Sequence, residues 1–171
     1  MIVNVLEAYA SETGTKAGKA GNSNGKELRV AKRDTNDFDY IIRFKFKTPR
    51  EIFVNNVSAI VKSRLCGYSQ YDRYSLYENL ADCNFNVSKF LASRKLCNCD
   101  CSSLVMAMIK CLRNRSDVYD CDVYGIATYN MLDYFNSSEA RRKFKVIKIY
   151  SNTKPLRGDI LLKNGHTCIV D

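Results

Sequence analysis

The chain contains a single histidine, His166, in the run Gly165-His166-Thr167-Cys168-Ile169-Val170-Asp171, and a cysteine, Cys101, in Asn98-Cys99-Asp100-Cys101-Ser102-Ser103-Leu104-Val105. A thiol and an imidazole are the two groups a cysteine hydrolase requires: sulfur attacks a carbonyl, and the imidazole moves the proton from the thiol to the leaving group. If this chain does such chemistry, its general base is His166, because the sequence offers no second histidine. A cysteine attacks as its thiolate. The thiol pKa, about 8.5 when free, falls at a helix N-terminus and beside an imidazolium.

These residues are positioned by elements that the hydrophobic pattern identifies. Leu104, Val105, Met108, Ile109 and Leu112 recur at helical spacing, with Ala107 and Cys111 flanking, so residues 101–112 read as a helix apolar over most of its circumference and therefore buried. Cys101 opens that helix, with Asp100 near its N-cap and Ser102 and Ser103 in its first turn, where unpaired backbone N–H groups offer donors to an oxyanion. The runs 159–163 and 166–170 flank Asn164-Gly165, a strong hairpin signal. Strand alternation puts His166, Cys168 and Val170 on one face, expected to pack toward the helix and bring imidazole to thiol.

Further along the chain, Ile42, Phe44 and Phe46 alternate with Arg43, Lys45 and Lys47 as in a half-buried strand. Thr48-Pro49-Arg50-Glu51 reads as a capping box opening a helix that carries Ile52, Phe53, Val57, Ile60 and Val61 on one face and ends near Cys66-Gly67. The tyrosine-rich stretch 68–80 is expected to be irregular or weakly helical, 128–135 a short helix, and 144–150 a strand. Residues 11–26 hold four of the eight glycines and form a loop, either a floppy arm or a rigid wall of a cleft. With helices expected in the first two thirds and antiparallel strands in the last third, the fold class is α+β. A chain of 171 residues suits one domain, 1–171.

Composition bounds the partners. Long apolar runs are absent, so no membrane span is expected, and the N-terminus lacks a signal-peptide pattern. Eight cysteines without such a signal imply synthesis in a reducing cytoplasm and mostly free thiols. The net charge of +9 implies an anionic partner or merely good solubility, with nucleic acid, an anionic membrane face and an anionic wall polymer all open as partners at this point. Asp117, Asp120 and Asp122 resemble part of a calcium loop but lack its glycine and glutamate. A competing reading takes Cys97, Cys99, Cys101 and Cys111 as a zinc site on a basic nucleic-acid-binding module. The C-x-C-x-C spacing and the separation of Cys101 from Cys111 along one helix oppose it.

The block Asp100-Cys101-Ser102-Ser103-Leu104-Val105, followed by Gly158-Asp159-Ile160-Leu161 and Gly165-His166, resembles the NlpC-like cysteine peptidases of cell walls and the related CHAP amidases. It is most similar to phage endolysin catalytic domains of that group. Ser11-Glu12-Thr13-Gly14, Ala20-Gly21 through Gly25-Lys26-Glu27, Gly67-Tyr68-Ser69-Gln70 and Arg73-Tyr74-Ser75-Leu76 echo their patterns over nearly the whole chain. The resemblance implies a papain-like fold with a nucleophile helix packed on an antiparallel sheet. It implies a cysteine peptidoglycan hydrolase that cuts an amide in the peptide part of the wall, as an N-acetylmuramoyl-L-alanine amidase or a stem-peptide endopeptidase. Cys101 and His166 would be catalytic, Tyr68, Asp100 and Ser102 would line the substrate groove, and no metal or organic cofactor would be needed. The partner would be bacterial peptidoglycan, with anionic wall polymers in addition and no nucleic acid, and the protein would be made in the cytoplasm and act at the wall. Two other classes stay open: the basic binding module and a papain-fold protease or acyltransferase effector. The family usually orients its histidine with a polar residue on the strand after the histidine strand. Asp171 lies on the opposite strand face from His166, so either another group orients the imidazole or the chain stops before the orienting residue. The second is preferred, and a separate wall-binding domain is likewise expected to be missing.

Overall fold

A computed structural model describes residues 1–113, 119 and 124–171, and over these the chain is an α+β fold built on one six-stranded antiparallel sheet. Its strands are β1 (Ile2–Ala8), β2 (Leu28–Asp34), β3 (Tyr40–Phe44), β6 (Phe144–Lys148), β7 (Ile160–Lys163) and β8 (His166–Val170), in the spatial order β2-β1-β8-β7-β3-β6. A parallel pair, β4 (Cys66–Tyr68) with β5 (Cys97–Cys99), stands apart from it. The helices are α1 (Lys47–Ser63), α2 (Ser75–Asp82), α3 (Val87–Ser93), α4 (Cys101–Lys110) and α5 (Met131–Asn136). Asp117, Asp120 and Asp122 lie outside the described residues.

The sheet is buried on both faces, and alternation decides which residue goes where. Leu6 and Ala8 of β1, Ile42 and Phe44 of β3, Ile160 and Leu162 of β7 and Ile169 of β8 join the main core with the apolar sides of α1 to α4. Val5, Ile41, Leu161, Cys168 and Val170 point the other way, into a second core closed by Phe38. This corrects the expected facing of the last strand. His166, Cys168 and Val170 turn away from the helix layer, the imidazole toward Glu7 and Phe38, and Thr167 and Ile169 turn toward that layer, so alternation does not bring the imidazole to the thiol as expected. The pattern His166-Cys168-Val170 is apolar because a second core takes it, a possibility that one-sided alternation conceals.

Helix α4 is buried at every position from Cys101 to Ile109, as its apolar circumference requires. It starts where the pattern places it because Asp100 and Ser103 form a reciprocal capping box: Asp100 Oδ1 accepts from the Ser103 N–H at 2.7 Å, and Ser103 Oγ accepts from the Asp100 N–H at 2.8 Å. The hairpin also forms as expected, with Lys163 paired to His166 across two turn residues. Its positive φ falls on Gly165 alone (82°), so the turn is not the mirror-image type in which both central residues are left-handed.

Other expectations shift. Three of the six sheet strands come from the first 44 residues, so the early part of the chain is not mainly helical. Thr48 does not cap α1. The helix begins at Lys47 behind Phe46, with no side-chain cap, and Pro49 sits inside the first turn, where its missing N–H has no helical partner to lose. Arg64 ends the helix by entering the left-handed region (φ 60°), which frees Cys66–Tyr68 to pair with Cys97–Cys99.

Residues 11–26 are a docked wall. The Gly21 N–H donates to the Cys97 carbonyl, the Asn22 N–H to the Arg64 carbonyl, and the Gln70 N–H to the Lys16 carbonyl, each within 2.9 Å. Gly18 has no room for a side chain, because a Cβ there would lie 2.3 Å from the Tyr68 carbonyl oxygen. Gly18→Ala is therefore expected to destabilise the protein by about 1–3 kcal/mol, the usual range for forced overpacking. Denaturant unfolding checks this, and an unchanged midpoint would show that the loop is not held against Tyr68.

Candidate active site

The α4 cap and the start of β8 meet in space. Backbone N–H groups of Thr167 and Ser102 donate to the Cys101 sulfur, which places the thiol against the peptide that follows His166. Cys101 is 8% exposed. Burial pushes its pKa up to about 12, with the nearby Asp100 carboxylate adding to the shift and the two N–H donors opposing it only in part. The helix N-terminus therefore does not produce the lowered thiol pKa expected from position alone. Desolvation and an adjacent carboxylate outweigh it, and the resting thiol is neutral.

Asp100 and Ser102 are held behind the thiol. Asp100 Oδ2 forms an ion pair with Arg73 Nε at 2.9 Å, and Ser102 Oγ donates to Asp100 Oδ1 at 3.0 Å. One Arg73 terminal nitrogen also donates to Ser102 Oγ and to the Ile126 carbonyl, both at 2.8 Å. Asp100 and Ser102, expected to line the groove, are 7% and 2% exposed with their polar atoms engaged, and they support the start of α4 behind the thiol. Arg73, missed as a site residue, was visible only as part of a sequence echo.

Tyr68 differs. It lines a cavity of about 410 Å3 together with His166, Tyr9, Phe38, Arg33 and Lys163. Its phenol pKa is raised by burial first, while Gln70 Nε2 donates to the hydroxyl at 3.0 Å and the proximity of Cys101 and Asp100 adds to the rise. Tyr68 is thus close enough to Cys101 to feel its charge while lining the cavity that holds His166. Gly14, from the docked loop, lines the same space.

His166 is held by a residue the sequence reading did not find. Its Nε2 lies 3.2 Å from Glu7 Oε2, and Glu7, on β1, is 0% exposed. Arg33 reaches both Glu7 oxygens at 2.6 and 2.9 Å, and Arg29 Nε donates to Oε1 at 2.9 Å. The Tyr9 ring stands edge-on to the imidazole and lies 4.0 Å beneath the Arg29 guanidinium. Burial alone would raise the Glu7 pKa, but the bonds from His166, Arg33 and Arg29 hold it at about 2. An ionised carboxylate only accepts, so the imidazole donates from Nε2 and Nδ1 is the ring nitrogen outside that bond. The signal for Glu7 was one acidic residue inside the apolar run Ile2–Ala8.

Among the described residues no hydrogen bond joins thiol to imidazole, and no group of three or more His, Cys, Asp or Glu side chains is arranged to hold a metal ion. Cys97 and Cys99 are buried, and Cys66 Sγ donates to Cys99 Sγ at 3.4 Å. The seven described cysteines are all free thiols. No helix of the described residues is long and apolar enough to cross a membrane.

Two outcomes follow. The Glu7 bonds stabilise the fold fully above the unfolded carboxylate value of 4.5, and that contribution disappears as pH falls through about 2, an effect of about 3 kcal/mol. Glu7→Gln is expected to be less stable than the parent at pH 6, with the gap closing below pH 4 in acid-unfolding curves. A gap independent of pH would contradict the ionised carboxylate. Alkylation of Cys101 in the free protein, followed by peptide mass spectrometry, should keep accelerating above pH 9, and a plateau near neutral pH would show a lowered thiol pKa instead.

A family model described as an endolysin-like domain matches residues 5–171. No curated protein and no solved structure matches the chain.

Proposed function

The chain belongs to the endolysin-like domain family, and on that premise we propose that it is a cysteine peptidoglycan hydrolase of papain-like fold, cutting an amide in the peptide part of the bacterial wall. The observation that carries this reading is the seat of Cys101 against the Thr167 peptide, next to a histidine whose far nitrogen is tied to a buried carboxylate.

The steps follow from the protonation states. Cys101 rests as a thiol, so its proton leaves as sulfur attacks the carbonyl, and the free Nδ1 of His166 receives it. The first-turn N–H groups of α4 lie outside the helix's own bonding, and that of Cys101 is the donor for the developing oxyanion. Collapse of the tetrahedral intermediate breaks the C–N bond. The amine leaves with the proton from His166, and a thioester remains on Cys101. Water, deprotonated by His166, then releases the acid and restores the thiol. Glu7 holds the ring and stabilises the imidazolium formed in each half. Tyr68 lines the groove where the substrate lies, while Asp100, Ser102 and Arg73 fix the start of α4. No cofactor enters these steps.

This reading covers either bond, the N-acetylmuramoyl-L-alanine amide or one within the stem peptide, and mass spectrometry of digested wall fragments identifies which. Cys101→Ala is expected to abolish turbidity loss of Gram-positive walls, whereas Cys97→Ser and Cys99→Ser retain much of it if they fold. Full lysis by Cys101→Ala would overturn the reading.

A further inference from the structure

Lys163 lies directly across the β7–β8 ladder from His166, and cross-strand partners project from the same face with Cβ atoms about 5 Å apart. Both side chains meet the same ring. The Lys163 ammonium lies 5.3 Å from the Phe38 centroid, and the His166 imidazole lies 6.2 Å from it. Lys163 lines the cavity that His166 and Tyr68 share.

The other charges of this cavity are accounted for differently. Arg33 is committed to Glu7 through two nitrogens, so it balances a buried carboxylate of the protein. Asp37, on the exposed rim, also lines the cavity but makes no ion pair with Lys163. Among the described residues the Lys163 ammonium makes no ion pair or side-chain hydrogen bond, and its ring contact with Phe38 holds it beside His166. A cation kept over a ring and across the ladder from His166, with no protein anion to satisfy it, matches a carboxylate on the substrate. A charge-assisted hydrogen bond to a carboxylate is worth about twice a neutral one.

Resting on the hydrolase reading above, we infer that Lys163 selects substrates carrying a free carboxylate close to the scissile amide, so that amidated stem peptides are cleaved less well. The shared chemistry is the carboxylate, supplied either by an acidic side chain or by the peptide's C-terminus. The test uses the whole protein and three synthetic forms of one stem peptide: the free acid, the form amidated at the side-chain carboxylate, and the form amidated at the C-terminus. Amidation of the carboxylate that Lys163 contacts is expected to raise KM about tenfold, equivalent to about 1.4 kcal/mol. Amidation of the other is expected to have little effect, which identifies the source. Lys163→Met should raise KM for the free acid by a similar factor and erase the discrimination, the change falling on KM more than on kcat, and Lys163→Arg should restore it. Circular dichroism confirms that these half-exposed variants fold. Equal KM for all three peptides, or discrimination that survives Lys163→Met, overturns the inference while leaving the hydrolase reading intact. Cleavage that persists in Cys101→Ser overturns the hydrolase reading itself. A wild-type protein that cleaves none of the three peptides overturns the inference as well.

Discussion

A carboxylate with no exposed surface has to be compensated, and the compensation of Glu7 organises this molecule. An unpaired buried charge would cost several kcal/mol, so Glu7 draws in two guanidinium groups from β2 and the imidazole from β8. Those bonds span β2, β1 and β8, three adjacent strands of the sheet. The same cluster that makes Glu7 tolerable also sets the ring orientation and the tautomer of the only histidine. Its stabilising and orienting roles are inseparable because one set of hydrogen bonds performs both.

The thiol is arranged on the opposite principle. Cys101 is neutral at rest because burial and Asp100 outweigh the N–H donors around it. Asp100 is nevertheless required where it is, since it caps α4 and pairs with Arg73, which ties the cap to Ser102 and Ile126. The described residues thus hold a neutral sulfur at the start of α4 and an imidazole tied to Glu7 at the start of β8. In the proposed reaction charge develops only during attack, when the imidazolium has Glu7 beside it and the oxyanion has the helix N-terminus. Tyr68 and the docked loop line the cavity beside the imidazole.

Local features of this site were legible in the sequence. Asp100 and Ser103 announce the start of α4, its apolar circumference announces burial, and Asn164-Gly165 announces the hairpin that carries His166. These succeed because a cap, a periodicity and a two-residue turn are satisfied within a few neighbouring residues. Thr48-Pro49-Arg50-Glu51 has the composition of a capping box, yet α1 begins earlier, at Lys47, because packing of Phe53, Val54 and Val57 sets the helix's position more strongly than one cap. The face of β8 was misassigned because both faces of the sheet are buried, so alternation marks two faces without saying which meets the helix.

What the sequence by itself determined is the inventory and its local settings: one histidine, a cysteine at a capped helix start, a tight turn before the histidine, and an α+β class. What only the tertiary structure decided is the company those residues keep. Glu7 is 159 residues from His166, 22 from Arg29 and 26 from Arg33. No propensity or spacing links positions that far apart. They meet because sheet order places β1 between β2 and β8, and because burying a carboxylate there is tolerable only when all its partners arrive together.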